Sequence, residues 1–189
     1  GSDFRCSEQK IDSTKKFLTK LWNVSRFLSS FPIIESAELA DTDKWIISEL
    51  DKLVKDCKVG FDQYNFFIPA TAIREFTWNV FAAQYIEMAK TRAYGIEFSD
   101  AERDGAIYTL HKVLSTLLKL LAPITPYITD FLWQTLYSDK SIHTEQQAKE
   151  ESNEDLTQHT QAISDFNSKV WNEKKEKGLS LKDSIKIEI

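Results

Sequence analysis

The side chains best suited to chemistry lie close together between positions 16 and 27. On a helix, Lys16, Lys20, Asn23 and Phe27 share one sector beside an apolar stripe, and Arg26 lies further round. Lysine and arginine neutralise phosphate, asparagine hydrogen-bonds a base edge, and phenylalanine offers a plane for an unpaired base. The pattern therefore suits single-stranded RNA. An ordinary amphipathic helix with a solvated basic face has the same pattern. Because such helices are common, the pattern alone favours this second interpretation over RNA binding.

No residue pattern in the sequence indicates catalysis or metal binding. The three histidines, His111, His143 and His159, are scattered, with no cysteine or carboxylate at ligand spacing. Cys6 and Cys57 lie far apart and are expected to be reduced thiols. Phosphate-binding glycine loops and the short hydrolase and metalloprotease motifs are missing from the sequence. We therefore predict no catalytic residue, no metal ligand and no cofactor for these residues.

The composition favours a helical domain. Of 189 residues, 42% are hydrophobic, and only 5 are glycine and 4 proline, so long helices are favoured over a fold with many turns. The net charge of −5 argues against a general nucleic-acid binder, but positive charge concentrates in residues 1–30 and negative charge in residues 139–155. A local RNA-binding surface is therefore compatible with the composition. Because the sequence shows neither a membrane span nor a signal peptide, we expect a cytoplasmic protein without a membrane partner.

The helices that must position the basic stripe can be predicted from apolar spacing. The first, over residues 7–30, buries an apolar stripe at spacings of four and three. The stripe consists of Phe17, Leu21, Val24 and Leu28. A second helix is predicted to start near Asp41 or Thr42, either of which can cap it. A third, over residues 66–94, is apolar around most of its circumference and is therefore expected in the middle of a bundle.

The second half of the chain is assigned from capping patterns and composition. Ser99 and Glu102 form a capping-box pattern that opens a fourth helix, and Thr125-Pro126 opens a fifth that runs to about residue 137. Residues 138–154 are polar and acidic, as in an exposed connector. A last helix is predicted over residues 155–177, and the weakly alternating tail over residues 181–189 is compatible with a short strand. The predicted organisation is a bundle over residues 1–137, a connector over residues 138–154, and a C-terminal helix and tail of the same domain over residues 155–189.

The segment over residues 20–27, Lys-Leu-Trp-Asn-Val-Ser-Arg-Phe, resembles the start of the anticodon-binding domain of the valyl-tRNA synthetases. Residues 1–3 resemble the end of the catalytic core that precedes it in this family. Further family-like segments follow in chain order: residues 43–46, 76–78, 85–87, 117–129, 141–143, 173–175 and 178–181. Each motif alone is weak, but their order along nearly the whole chain makes the resemblance specific. The last two segments are similar to archaeal-type members.

The resemblance implies an all-α helix bundle of the class I aminoacyl-tRNA synthetase type that binds the anticodon stem and loop of valine tRNA. Lys20, Asn23, Arg26 and Phe27 occupy the positions expected to contact the anticodon. The third helix would complete the pocket around Met88 and Lys90. The complete enzyme would use ATP and Mg²⁺ and would carry its catalytic domain in the same polypeptide. Its nucleotide-binding motifs are absent from these residues, so we expect no aminoacylation from them alone.

Two alternatives remain at this stage. The first is the corresponding domain of an isoleucyl-tRNA synthetase, although that family usually has Trp-Tyr-x-Arg where this chain has Gln-Tyr-Ile-Glu over residues 84–87, and lacks the pair Arg26-Phe27. The second is a helical protein-interaction module without RNA binding, which an exposed apolar patch with no basic groove beside it would favour.

Overall fold

A computed structural model describes residues 7–151 and 154–180 as a bundle of helices. The helices are α1 (Glu8–Leu28), α2 (Asp41–Asp62), α3 (Phe67–Glu75), a π-helical segment (Phe76–Tyr85), α4 (Ile86–Ala93), α5 (Asp100–Leu121), α6 (Pro126–Leu136) and α7 (Thr160–Glu176). Single 3-10 turns cover Ile142–Thr144 and Thr157–His159. No strand occurs in the part of the chain that the structure describes, which confirms the predicted all-α class. The strand suggested for residues 181–189 lies outside the described residues.

Helix α1 has the predicted buried stripe. Its residues Phe17, Leu21, Val24 and Leu28 are all buried in the core. The helix ends before Pro32, where the Phe31 N–H donates to the Leu28 carbonyl in a closing turn. Trp22 lies on another side of α1, where its ring stacks on Phe131 at a centroid distance of 5.8 Å.

Helix α2 begins at Asp41, but its cap differs from the prediction. Neither Asp41 nor Thr42 caps the helix; instead, the buried Asp43 carboxylate reaches back and accepts a hydrogen bond from the Ala40 N–H at 3.0 Å. The same carboxylate binds both terminal nitrogens of Arg92, at 2.5 and 2.9 Å, and accepts a hydrogen bond from the Tyr85 hydroxyl at 2.7 Å. This Asp43 network joins the start of α2 to α4 and to the π-helical segment.

The long helix over residues 67–93 is continuous but not uniformly α-helical. Between Phe76 and Tyr85 it is a π-helix, whose hydrogen bonds join residues five apart instead of four. This winding brings Phe76 and Phe81 onto one face, where their rings stack at 6.5 Å. A uniform 3.6-residue period would place them about 140° apart around the helix. Within this helix, Trp78 is not buried but 41% exposed.

Helix α5 runs through the core. Gly95, with φ at +67°, ends α4, and the Ser99–Glu102 capping box then opens α5 as predicted. An apolar stripe of α5 at helical spacing is completely buried. Its members are Ile107, Leu110, Leu114, Leu117 and Leu121.

The segments after α5 are tied to the bundle by a few specific hydrogen bonds. Pro126 starts α6 as predicted, but the Thr125 hydroxyl does not cap it and lies 3.4 Å from the Leu121 carbonyl. The polar connector is bonded to α6, where the Asp130 carboxylate accepts hydrogen bonds from the Ser141 hydroxyl and the Ile142 N–H of the connector. The Ile142 side chain is buried. The connector therefore contacts the bundle instead of being exposed throughout.

Helix α7 is held against α2 and the π-helical segment. Just before it, the Leu156 N–H donates to the Ser48 hydroxyl at 2.9 Å. The Trp45 indole N–H donates to the Thr160 hydroxyl at 2.9 Å, and the Asn167 amide donates to the Gln84 side-chain oxygen at 2.6 Å. These bonds fix the position of α7 relative to the rest of the bundle.

Gly105 lets the linker between α1 and α2 contact α5. A Cβ atom at this position would lie 2.4 Å from the Glu38 carbonyl oxygen. Alanine normally stabilises a helix interior by about 1 kcal/mol relative to glycine, but overpacking costs about 1–3 kcal/mol. We therefore expect Gly105→Ala to lower the free energy of unfolding by about 1 kcal/mol, measured by urea denaturation. Ala101→Ser, in the exposed first turn of the same helix, is the control, and a more stable Gly105→Ala protein would contradict the prediction.

Candidate nucleic-acid interface

The outer face of α1 presents most of the predicted contact residues to solvent. Lys16, Asn23 and Arg26 are exposed, and Lys20 is half-buried. The buried stripe in the neighbouring sector fixes this orientation, because it holds one face of the helix against the bundle. Within the described residues, the Asn23 amide has no hydrogen-bond partner. It is therefore available to a ligand.

The first groove, here called the α1 groove, lies between α1 and the π-helical segment. It has a volume of about 460 Å³. Lys16, Lys20 and Asn23 line it together with Trp78, and the Lys20 ammonium lies 5.8 Å from the centre of the Trp78 ring. The groove thus combines positive charge, an amide and an exposed aromatic plane, which is the combination that binds unpaired bases.

The second groove, here called the α7 groove, lies between the long helix and α7. It has a volume of about 680 Å³, and Lys20, Met88 and Lys90 line it. From α7 it receives Trp171 and Lys174. Lys20 lines both grooves, so the two are adjacent. The structure therefore brings Met88 and Lys90 close to Lys20 of the basic stripe of α1.

Phe27 lines neither groove and is only partly accessible. Its ring packs edge-on against Phe31 at 5.2 Å and lies 6.3 Å from the Tyr94 ring. The Lys90 ammonium is 6.0 Å from the centre of the Phe27 ring and also forms an ion pair with Glu87 at 2.5 Å. Phe27 therefore belongs to an aromatic cluster and offers less open surface than the sequence suggested. Arg26 lines neither groove.

The positive charges of α1 are not paired with carboxylates in the part of the chain that the structure describes. In residues 7–151 and 154–180, the cations Lys15, Lys16, Lys20 and Arg26 form no ion pair. By contrast, Lys44, Lys58, Arg74 and Arg103 each pair with a nearby carboxylate. Unpaired cations gathered on one helix face leave a local positive potential in a protein whose net charge is negative.

The groups whose pKa values are shifted most lie in the core, away from both grooves. Burial lowers the pKa of His111, whose ring lies 3.1 Å from the Tyr137 hydroxyl and 3.3 Å from the Phe31 carbonyl. Burial also raises the pKa of the Tyr85 hydroxyl, and the adjacent Asp43 carboxylate raises it further. These shifts follow from packing and give no indication of an acid–base site.

The described residues contain no group of three or more histidine, cysteine or acidic side chains placed to hold a metal ion. Nor does any helix in this part of the chain have the length and apolar character needed to cross a membrane.

Two residues of the grooves were missed by the sequence analysis. Trp78 lies on the third predicted helix, which was expected in the middle of the bundle, so no exposed position was expected for it. Trp171 lies on α7, nearly 150 positions after the basic stripe, so only the tertiary structure brings the two together. The one available signal was the lysine pair at residues 174 and 175, close to Trp171 along the chain.

Comparison with known proteins gives a consistent family assignment. A family model described as the anticodon-binding domain of tRNA ligase matches residues 43–189. The chain is 38% identical over 192 residues to a valine–tRNA ligase of Pyrobaculum aerophilum, a match that covers 98% of this chain and 24% of that protein. It is 34% identical over 190 residues to a valine–tRNA ligase of Nanoarchaeum equitans, covering 100% of this chain and 24% of that protein.

A valine–tRNA ligase of Ehrlichia canis is 40% identical over 151 residues, which cover 76% of this chain and 19% of that protein. The chain therefore spans about a quarter or less of the length of these curated relatives. The family model begins within α2, whereas the matches to the two archaeal relatives extend over nearly the whole chain.

Proposed function

Since this chain belongs to the anticodon-binding domain family of the tRNA ligases, we propose that it binds the anticodon stem and loop of a tRNA. The outer face of α1 is the proposed contact surface. The observation that carries the proposal is the set of unpaired cations on this face, beside an unbonded amide at Asn23 and an exposed indole at Trp78. Cations bind phosphates, while the amide and the ring face bases that a loop leaves unpaired.

We propose further that the tRNA is a valine tRNA and that the chain is part of a valine–tRNA ligase. The names of the relatives support this. Joining of valine to the tRNA, with ATP and Mg²⁺, would then be carried out by a catalytic domain elsewhere in a longer polypeptide. In this arrangement, the grooves described above hold one end of the tRNA and thereby orient its acceptor end.

Binding of tRNA transcripts to the 189-residue chain tests the proposal. We expect a valine tRNA to bind with micromolar or weaker affinity, and the affinity to fall steeply with salt because bound phosphates release counterions. Asn23→Ala or Phe27→Ala should reduce the difference in affinity between valine and isoleucine tRNAs. Lys20→Gln should weaken the binding of both tRNAs to a similar extent. It should also reduce the slope of log affinity against log salt concentration by about one.

Lys55→Gln, an exposed lysine on α2, is the matched control and should leave binding unchanged. If Asn23→Ala and Lys20→Gln both bind as the parent does, α1 is not the contact surface. Tighter binding of the isoleucine tRNA by the parent chain would instead support the isoleucyl alternative, and equal binding would contradict the proposed valine specificity.

A second candidate function, binding to another protein surface, is favoured by exposed apolar side chains at the turn between α2 and α3. Tyr64, Phe66, Phe67 and Ile68 are all exposed there. They lie outside both grooves. Phe67→Ser separates the two functions, because it should leave tRNA affinity unchanged if the grooves bind the RNA.

A further inference from the structure

Two exposed tryptophans stand on either side of Lys20. Trp78 lines the α1 groove, Trp171 lines the α7 groove, and Lys20 lines both. Resting on the proposed function, we infer that the two indoles are stacking platforms for two unpaired bases, one in each groove, with Lys20 binding the phosphate chain between them. Helix α7 is then a second RNA-binding element, in addition to α1.

The accessibility of the two rings fits this role. Trp78 is 41% exposed and Trp171 is 52% exposed, although tryptophan is normally among the more buried residue types. An exposed indole in a groove lined by lysines leaves apolar area open to a flat ligand. A nucleobase fills such a space well because every base has a face that stacks on an aromatic ring.

Each indole also has a lysine against it. The Lys20 ammonium lies 5.8 Å from the Trp78 ring centre, and the Lys175 ammonium lies 5.8 Å from the Trp171 ring centre. This pairing places positive charge close to each stacking plane, where the phosphate of a stacked nucleotide would lie. Alternating aromatic planes and cations along a groove are typical of proteins that bind single-stranded nucleic acid.

Trp171 is held in place by the bonds that anchor α7. The hydrogen bond from Asn167 to Gln84 lies one helical turn before Trp171 and attaches α7 to the wall of the α7 groove. The Trp45–Thr160 hydrogen bond attaches the start of the same helix to α2. A stacking ring on a fixed helix loses little conformational entropy when a base binds, which favours affinity.

Trp22 provides a matched contrast on the same helix as Lys20. It is 43% exposed, close to the value for Trp78, but its ring already stacks on Phe131 with an interplanar angle of 16°. It lines neither groove. Exposure alone therefore does not make a tryptophan ring available for stacking on a base, and Trp22→Leu is a suitable control.

The test compares an RNA hairpin that carries an unpaired anticodon loop with a fully paired duplex of the same stem. Affinities of the 189-residue chain for both would be measured over a range of salt concentrations. Trp78→Leu and Trp171→Leu should each weaken hairpin binding about tenfold, leave duplex binding unchanged and leave the salt slope unchanged, since stacking involves no counterion release. Trp78→Phe and Trp171→Phe should retain most of the affinity, and Trp22→Leu should bind as the parent does.

Three results would overturn the inference. The first is parental hairpin affinity in Trp171→Leu, and the second is parental affinity in Trp78→Leu. The third is an equal loss of hairpin and duplex binding in the leucine variants, since general distortion of the chain would produce it. The proposed function would survive any of these if Asn23→Ala and Lys20→Gln still weakened tRNA binding. A parent chain that binds neither RNA would instead overturn the proposed function itself.

Discussion

Asp43→Asn is expected to lower the free energy of unfolding by about 3–5 kcal/mol, the cost of breaking a buried ion pair by removing one partner. Asp43 is completely buried and is the only carboxylate bound by Arg92 within the described residues. Asparagine has nearly the same shape but no charge, so the guanidinium would remain largely buried without a counterion. Denaturant unfolding followed by circular dichroism would measure the loss.

Asp41→Asn is the control for this prediction, because Asp41 is a fully exposed carboxylate two residues away whose 3.7 Å pair with Lys44 is expected to contribute little. Combining Asp43→Asn with Arg92→Met should recover part of the lost stability, because the unpaired charge is then removed as well. If Asp43→Asn unfolds at the same denaturant concentration as Asp41→Asn, the buried pair does not hold α2 to α4.

The Cys57 thiol should react about a thousandfold more slowly in the folded chain than in the unfolded one, since the thiolate is the reactive form. Burial, together with a smaller contribution from the nearby Asp56 carboxylate, raises the pKa of this thiol from 9.0 to about 12. At a pH below both values, a rise of three pKa units lowers the thiolate fraction about a thousandfold. The rate would be measured with a chromogenic disulfide at pH 8, with and without denaturant.

The measurement uses a Cys6→Ser background, so that Cys57 is the one remaining cysteine of the sequence. A matched protein carrying Cys6→Ser, Cys57→Ala and Ser36→Cys places the thiol in the exposed linker before α2 and should react almost equally fast when folded and unfolded. Folded and unfolded rates for Cys57 that differ by less than tenfold would show that this thiol is not buried in the core, where the structure places it.

The features that the sequence predicted well are those set by neighbouring residues. The α1 stripe repeats at helical spacing, and the Ser99–Glu102 cap depends on residues three apart. Such short-range patterns are preserved whatever the rest of the fold does. The same reasoning placed Lys16, Lys20 and Asn23 on one accessible side of α1, and the structure has them there.

The features that were missed depend on long-range contacts or on unusual winding. Asp43 was known from a family motif, but its pairing with Arg92, 49 positions later, has no local pattern. Trp171 became part of the interface only through the docking of α7. Trp78 was missed because it lies on a helix expected in the middle of the bundle, and no glycine or proline marks the change to π-helical winding at Phe76.

The π-helical segment also sets the rotational phase between the two halves of the long helix. Each residue of an α-helix advances by about 100°, whereas a residue of this segment advances by less, because its hydrogen bonds span five residues instead of four. Continuous α-helical winding would therefore turn Met88 and Lys90 to a different side of the helix relative to α3. The π-helical segment thus acts as a fixed angular offset, with Trp78 in the α1 groove at its start and Met88 and Lys90 in the α7 groove after its end.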